Sequence, residues 1–204
     1  MRKLIILSFI TLDGVMQAPG GPEEDTSGGF KYGGWSFPFF DDFMGNIMFG
    51  QMNHDFDLLL GRKTYDIFAS YWPFQDTGKD PIAAGLNKAR KYVVSESLVK
   101  AEWSNSIIIN GDVPEEIRKI KESDGPEMQV HGSGNLIQTL WKYNLADELW
   151  LKIFPVALGS GKRLFTDGNL AGGFELFESK TSPSGVIIAN YKKSGEIKTG
   201  SFGN

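Results

Sequence analysis

Short apolar runs, each stopped by turn-forming residues, set the rhythm of this chain. Leu4-Ile5-Ile6-Leu7-Ser8-Phe9-Ile10 is apolar on both faces and ends near Asp13-Gly14, the pattern of a strand covered on both sides. Arg2 and Lys3 ahead of it resemble the start of a secretory leader. No small-residue cleavage site follows, however, and the run is too short to span a bilayer, so a buried strand is expected. Residues 55–60, 91–94, 106–109, 127–131 and 149–154 read as further strands. Helical spacing appears over 38–53, where Phe39, Phe43, Ile47 and Met48 fall near one face, and a short helix follows Arg62-Lys63-Thr64-Tyr65. Residues 113–120 carry proline and acids early and bases late, as helices prefer, and 135–143 continues as a helix after a glycine break. Near the end, 174–181 and 185–193 flank Ser182-Pro183-Ser184 and predict an antiparallel hairpin. Strands alternating with helices before a closing hairpin predict an α/β fold, its sheet mostly parallel with an antiparallel edge. No repeat or linker divides residues 1–204, so one domain is expected.

Composition narrows the class. Of 204 residues, 41% are hydrophobic and 23% charged, which fits a folded globular chain. Lys and Arg number 21 against 25 Asp and Glu, a net charge of −4, so no basic field gathers nucleic acid or an anionic membrane. The absence of cysteine removes disulfides, thiolate metal sites and cysteine nucleophiles, and fits a cytoplasmic protein. His54 and His131 lack metal-ligand spacing and read as structural, so no metal is expected. Neither a Gly-x-Ser-x-Gly elbow nor a triphosphate-binding Gly-x-x-x-x-Gly-Lys-Ser/Thr loop occurs.

Candidate chemistry gathers where strands turn into helices, since ligands of such sheets bind beyond the carboxyl ends of the strands. At Leu60-Gly61-Arg62-Lys63-Thr64-Tyr65, a glycine and two cations beside a helix start suit a phosphate, or simply form a solvated basic helix start. Val94-Ser95-Glu96-Ser97 offers hydroxyls. His131-Gly132-Ser133-Gly134-Asn135-Leu136 allows a pyrophosphate to pass close to a helix amino terminus, although Ile137 stands where a dinucleotide fingerprint has its third glycine. Residues 19–34, rich in glycine and proline, read either as a surface loop or as a lid over substrate. Trp35, Phe37, Phe39, Phe40, Tyr71 and Trp72 are either core or the wall of a pocket for a planar ligand.

The order of these pieces resembles the dihydrofolate-reductase-like superfamily. Leu12-Asp13-Gly14, Leu60-Gly61-Arg62-Lys63-Thr64-Tyr65, Val93-Val94-Ser95 and His131-Gly132-Ser133-Gly134-Asn135-Leu136 occur in sequence. Leu145-Ala146-Asp147-Glu148-Leu149 then leads into the run 155–165. The likeness is strongest to the branch related to the reductase domain of the bifunctional riboflavin-biosynthesis deaminase–reductase. It covers the chain from Lys3 to about Lys193. The resemblance implies a three-layer sandwich, NADPH as cofactor with NADH still open, and hydride transfer to a small planar heterocycle such as a ribosylamino-pyrimidine. By position it assigns Gly61, Arg62 and Thr64, with the adjoining Lys63, to the cofactor phosphates, and Ser95 to the adenosine phosphate. Gly132, Ser133 and Gly134, with Asn135, fall to the pyrophosphate. Asp13 and Gly14 fall at the bend into the substrate loop, and Trp35 beside the substrate.

The chain departs from the family at two places. After Trp35-Ser36-Phe37-Pro38, Phe40 occupies the position of the folate reductases' acid, leaving Asp41 and Asp42 as candidate proton donors alongside water. Glu96, next to Ser95, places a carboxylate near any 2′-phosphate. The Gly159-Ser160-Gly161 run with Lys162 and Arg163 reads equally as a turn and as a ligand contact. No His-x-Glu with Pro-Cys-x-x-Cys, the signature of a zinc deaminase, is present. The alternatives are a non-catalytic nucleotide-binding protein of the same fold and a dihydrofolate or pterin reductase. A homodimer is expected, because a terminal hairpin leaves an unpaired sheet edge.

Overall fold

The computed structural model of the chain describes residues 1–168 and 171–203. Its strands are β1 (Leu4–Thr11), β2 (Phe56–Gly61), β3 (Lys91–Val94), β4 (Ser106–Ile109), β5 (Glu127–Val130), β6 (Glu148–Phe154), β7 (Gly173–Thr181) and β8 (Ile187–Gly195). They form one sheet in the order β4-β3-β2-β5-β1-β6-β8-β7. β1 to β6 run parallel to one another, and β8 and β7 close the sheet antiparallel. This is the mostly parallel α/β sheet with an antiparallel terminal hairpin that the residue pattern predicts.

The helices are α1 (Asp42–Met52), α2 (Arg62–Tyr71), α3 (Pro81–Lys88), α4 (Val113–Glu122) and α5 (Gly134–Lys142). β1 lies inside the sheet between β5 and β6, and its alternate side chains are buried on both faces, Leu4, Ile6 and Ile10 on one and Phe9 toward the other, which accounts for the unbroken apolar run at its start. Leu4, Ile6 and Ile10 enter a core with Ile117 of α4 and Leu136, Ile137 and Leu140 of α5. On the opposite face, Leu58, Leu60 and Val93 pack with Met52, Tyr65 and Leu86 from α1, α2 and α3. A third cluster joins Val15, Phe30, Trp35 and Met44 to Phe154 and Ile188. No helix among the described residues is long and apolar enough to cross a membrane.

Two elements differ from the sequence reading. The helix expected over 38–53 is a 3-10 turn at Phe37–Phe39 followed by α1, because Asp41 is extended (φ −124°, ψ 176°) and caps the helix through a hydrogen bond from Met44 N to its carboxylate, 2.8 Å. α3 was not among the expected elements. Asp80 caps it by accepting from Ile82 N and Ala83 N, and Pro81 occupies its first turn.

Candidate active site

β2 runs straight into α2 at Gly61–Arg62, while His131, Gly132 and Ser133 carry the chain from β5 into α5. The two corners touch, with Gly61 N donating to Gly132 O at 3.2 Å. A methyl group on Gly61 would stand 2.2 Å from Ser133 Oγ and 3.0 Å from Ser133 N. One on Gly132, at φ +139°, would stand 2.7 Å from Thr64 Oγ1. Glycine is required at both places by close approach, and at Gly132 also by the backbone angle.

Helix capping separates these corners from the rest of the fold. α1, α3 and α4 are capped by the carboxylates of Asp41, Asp80 and Asp112. α2 and α5 begin after Gly61 and Ser133 with no side-chain cap. Their first amides and the positive ends of their dipoles are therefore left for an outside acceptor, and both helices start at the same place.

A cavity of about 380 Å³ opens beside this corner. Thr64 and Phe68 of α2, Trp72 just after it, Leu7 and Phe9 of β1, and Met48 of α1 give it apolar walls. Gly132, Ser133, Gly134 and Asn135 bring the α5 amino terminus to it. A groove of about 450 Å³ lies on the other side of the corner, lined by Gly61, Arg62, Asp66, Val94 and Thr139 among others. The two share Lys63, Ser133 and Asn135. A third depression, of about 690 Å³, lies near the start of β2 and holds none of the sequence-predicted site residues.

Polar groups are buried under the cavity. Lys152 of β6 is fully buried, and its ammonium donates to Gln51 Oε1 at the end of α1. Gln129 of β5 donates through Nε2 to Gln51 O at 2.8 Å, and His131 Nε2 lies 3.3 Å from Gln129 Oε1. Burial lowers the Lys152 pKa to about 7. Burial, then the neighbouring Lys152 cation, pushes the His131 imidazole down and keeps it neutral at ordinary pH.

At the rim, Asp25 of the glycine-rich segment accepts from Lys63 Nζ on one side and from Lys162 Nζ, at 2.7 Å, on the other. Burial alone would raise the Asp25 carboxyl pKa. Hydrogen bonds from Lys162, Lys63 and Ser27 outweigh it and hold the group well below the usual carboxylate range.

The sequence-predicted residues divide into three groups. Lys63, Thr64, Gly132, Ser133, Gly134 and Asn135 line the cavity, and Gly61 and Arg62 line the groove, where Arg62 Nε also pairs with Asp66 at 2.8 Å. The others line neither. Asp41 and Asp42, expected as proton donors, sit at the amino end of α1, with Asp41 committed to the cap and to Ser184 N at 3.3 Å. Trp35, expected beside substrate, is buried in the third core cluster and donates from Nε1 to Gln17 O at 2.7 Å.

Asp13 accepts from Thr11 Oγ1, Leu158 N and Gly159 N, and Gly14 turns the chain at φ +79°, so the pair fastens the end of β1 to the 155–165 segment. Ser95 Oγ accepts from Ser97 N and Leu98 N to close a turn, while Glu96 is exposed. Arg163 belongs to a structural turn, donating to Asp13 O at 2.6 Å, whereas Lys162 reaches the cavity. Of the six aromatic candidates only Trp72 lines the cavity.

Lys152 and its amide network escaped the sequence reading. The signal was a lysine between Leu151 and Ile153 in the otherwise apolar run 149–154, an arrangement in which a charge is costly unless something uses it.

The sequence matches the family described as the RibD C-terminal domain over residues 2–188. The chain belongs to this family. It is 30% identical over 197 residues to the uncharacterized protein YyaP of Bacillus subtilis, covering 95% of this chain and 96% of that one. Among solved structures it is similar to a putative riboflavin biosynthesis protein from Shewanella sp. PV-4, with a TM-score of 0.66, 19% identity, and coverage of 94% of this chain and 99% of that one. A pyrimidine reductase-like protein from Corynebacterium diphtheriae gives a TM-score of 0.62 at 11% identity, covering 96% and 93%. Dihydrofolate reductase from Enterococcus faecalis, complexed with NADP(H), gives 0.58 at 14% identity, covering 94% and 96%. At these identities the likeness shows a shared dihydrofolate-reductase-like fold.

Proposed function

We propose that this RibD-family protein is a nicotinamide-dinucleotide-dependent reductase of a small planar heterocycle, of the riboflavin-biosynthesis type. One observation carries the reading: two uncapped helix amino termini meet at the Gly61–Gly132 contact, between the cavity and the groove. A pyrophosphate needs such a donor set, since the free amides and dipole ends of α2 and α5 favour an anion and Arg62 and Lys63 add charge beside them. Ser133 and Asn135 border both spaces, so one extended ligand that crosses the corner touches both.

When bound, the cofactor supplies a hydride to the ligand in the neighbouring cavity. The chain's own residues do the rest. Phe9, Phe68 and Trp72 offer faces and edges for a planar ring, and the 19–34 segment contributes Pro19, Gly20, Glu24 and Asp25 as an outer wall that limits water. Glu96, exposed and outside both spaces, does not oppose a 2′-phosphate there, so NADPH stays the first choice.

The test is equilibrium titration of NADPH and NADH into the wild type and Arg62→Ala, followed by cofactor oxidation with pterins, pyrimidines and quinones. The reading expects binding, about tenfold weaker in Arg62→Ala for loss of a charge-assisted hydrogen bond, and turnover with at least one heterocycle. Binding without turnover across the panel would favour a non-catalytic nucleotide-binding protein. No binding of either dinucleotide would overturn the reading.

A further inference from the structure

Asp41 and Asp42 lie outside the cavity, so neither is placed to give the proton that the reduction needs. The titratable groups in the cavity wall are Glu24 and Asp25 from the glycine-rich segment, Lys63 from α2, His131 after β5, Lys152 from β6 and Lys162 from the 159–163 turn. α1 contributes Met48 to the wall and Gln51 beneath it, both without charge. Asp25, Lys63 and Lys162 are joined to one another at the rim. Glu24 is turned onto its own loop, accepting from Gly20 N at 2.6 Å and Gly21 N at 3.2 Å.

Lys152 differs from all of these. It is part of the wall yet fully buried, and it forms no salt bridge among the described residues. Its hydrogen bond to Gln51 Oε1 uses one of three ammonium protons. Lys91, the other fully buried lysine, makes the contrast clear. Its ammonium is satisfied by Asn87 O at 2.8 Å and Ser104 O at 3.1 Å and lies 4.2 Å from the centre of the Trp103 ring, far from any site. A structural lysine in this fold is thus fully coordinated, whereas Lys152 keeps donors in reserve beside a cavity.

We propose that Lys152 is the catalytic acid of this site and the group that recognises the electron-rich heteroatom of the planar ligand. The assignment rests on the reductase reading and names the proton source within it. In the step, the carbon of a C=N or C=O bond accepts the hydride and the π electron pair moves onto nitrogen or oxygen. That atom takes a proton from Lys152 Nζ. The substrate is reduced, the nicotinamide ends oxidised, and the lysine is left as a neutral amine that water reprotonates. Rotation about the end of the lysine side chain brings Nζ to the ligand, a tightening common on going from the free enzyme to the complex. A buried lysine whose pKa lies near the operating pH is suited to give up a proton, which an ordinary lysine is not.

The experiment measures binding of a pterin, a uracil and a naphthoquinone to the full chain by quenching of tryptophan fluorescence between about pH 6 and 9. It compares wild type, Lys152→Met and Lys152→Arg. The expected result is that the best-bound probe loses at least tenfold in affinity in Lys152→Met. Wild-type affinity should fall as pH rises through 7, a slope that Lys152→Met lacks. Lys152→Arg, charged throughout, should recover part of the affinity without the slope. Lys152→Gln replaces the methionine variant if the latter does not fold. Equal affinity and equal slope in wild type and Lys152→Met would overturn the assignment while leaving the reductase reading intact. Failure of the wild type to bind any probe would overturn both.

Discussion

Gly61 N and Gly132 O are 3.2 Å apart and joined by a hydrogen bond, so the ends of β2 and β5 are fastened together where α2 and α5 start. The contact fixes the spacing of the two uncapped amino termini, and no side chain fits between them. Gly61→Ala places its methyl against Ser133. The Oγ atom can rotate away, but Ser133 N and Cβ, each 3.0 Å from the new carbon, cannot. The expected cost is roughly 1–3 kcal/mol of stability, typical of overpacking, with a larger loss of dinucleotide affinity than the stability change alone produces. Denaturant melts and calorimetric titration measure the two separately. A variant that binds as well as wild type would show that the corner does not hold the cofactor.

Asp41 and Asp42 make the opposite prediction. Asp41 caps α1, and its hydrogen bond from Met44 N, with that from Ser184 N, holds its pKa below the usual carboxylate value. Asp41→Ala is expected to lower the thermal midpoint by a few degrees, as loss of a helix cap does, and to leave dinucleotide affinity and the pH profile of turnover unchanged. Asp42→Asn, at an exposed position, should change neither. A turnover defect in a folded Asp42→Asn protein would return the proton-donor role to this helix.

These contrasts show where the sequence is legible. β3 and β4 were read at their observed bounds because short β-branched runs between turn residues are local signals. α3 was missed although Asp80-Pro81 is a cap and first-turn pair, since its eight residues offer only a brief apolar spacing. Asp41 resembled a helical residue until its extended backbone made it a cap. At the site, the glycine corners announce themselves through residues next to one another in the chain. Lys152 does not, because its partner Gln51 lies 101 positions away and only the fold brings them together.

Lys152 also leaves a mark on stability. The unfolded chain keeps this proton up to about pH 10.5 and the folded chain only to about 7. Between those values the unfolded state binds more protons, so this group's contribution to stability rises with pH. Below about 7 both states are protonated and the folded protein bears the whole cost of the buried cation. Lys152→Met is expected to be more stable than wild type near neutrality by roughly 1–4 kcal/mol, as when buried charge is replaced by an apolar side chain. The difference should shrink toward pH 10. Urea melts of both proteins across this range measure it. A constant difference would mean that the lysine titrates normally in the folded state.

Asp25 governs the outer wall. Its carboxylate is reached by Lys63 from α2 and by Lys162 from the 159–163 turn, so the glycine-rich segment is fastened to both sides of the cavity it covers. Both lysines are nearly half exposed, 46% and 47% at their side chains, so water and salt screen the attraction and each pair contributes about 1 kcal/mol or less. A latch of that strength holds a segment closed most of the time and still lets it open. Because the folded Asp25 pKa is depressed, the latch's contribution is complete above the unfolded value near 3.8 and is lost only as pH falls through the folded pKa. Amide hydrogen exchange over residues 19–34, corrected for intrinsic rate, should therefore be steady from about pH 5 to 9 and accelerate in molar salt. Asp25→Asn should raise it several-fold and slow substrate turnover, since the wall borders the cavity. Unchanged exchange in Asp25→Asn would show that the segment is held by its own packing, such as Gly33 against the backbone of Gly21 and Pro22, and does not act as a gate.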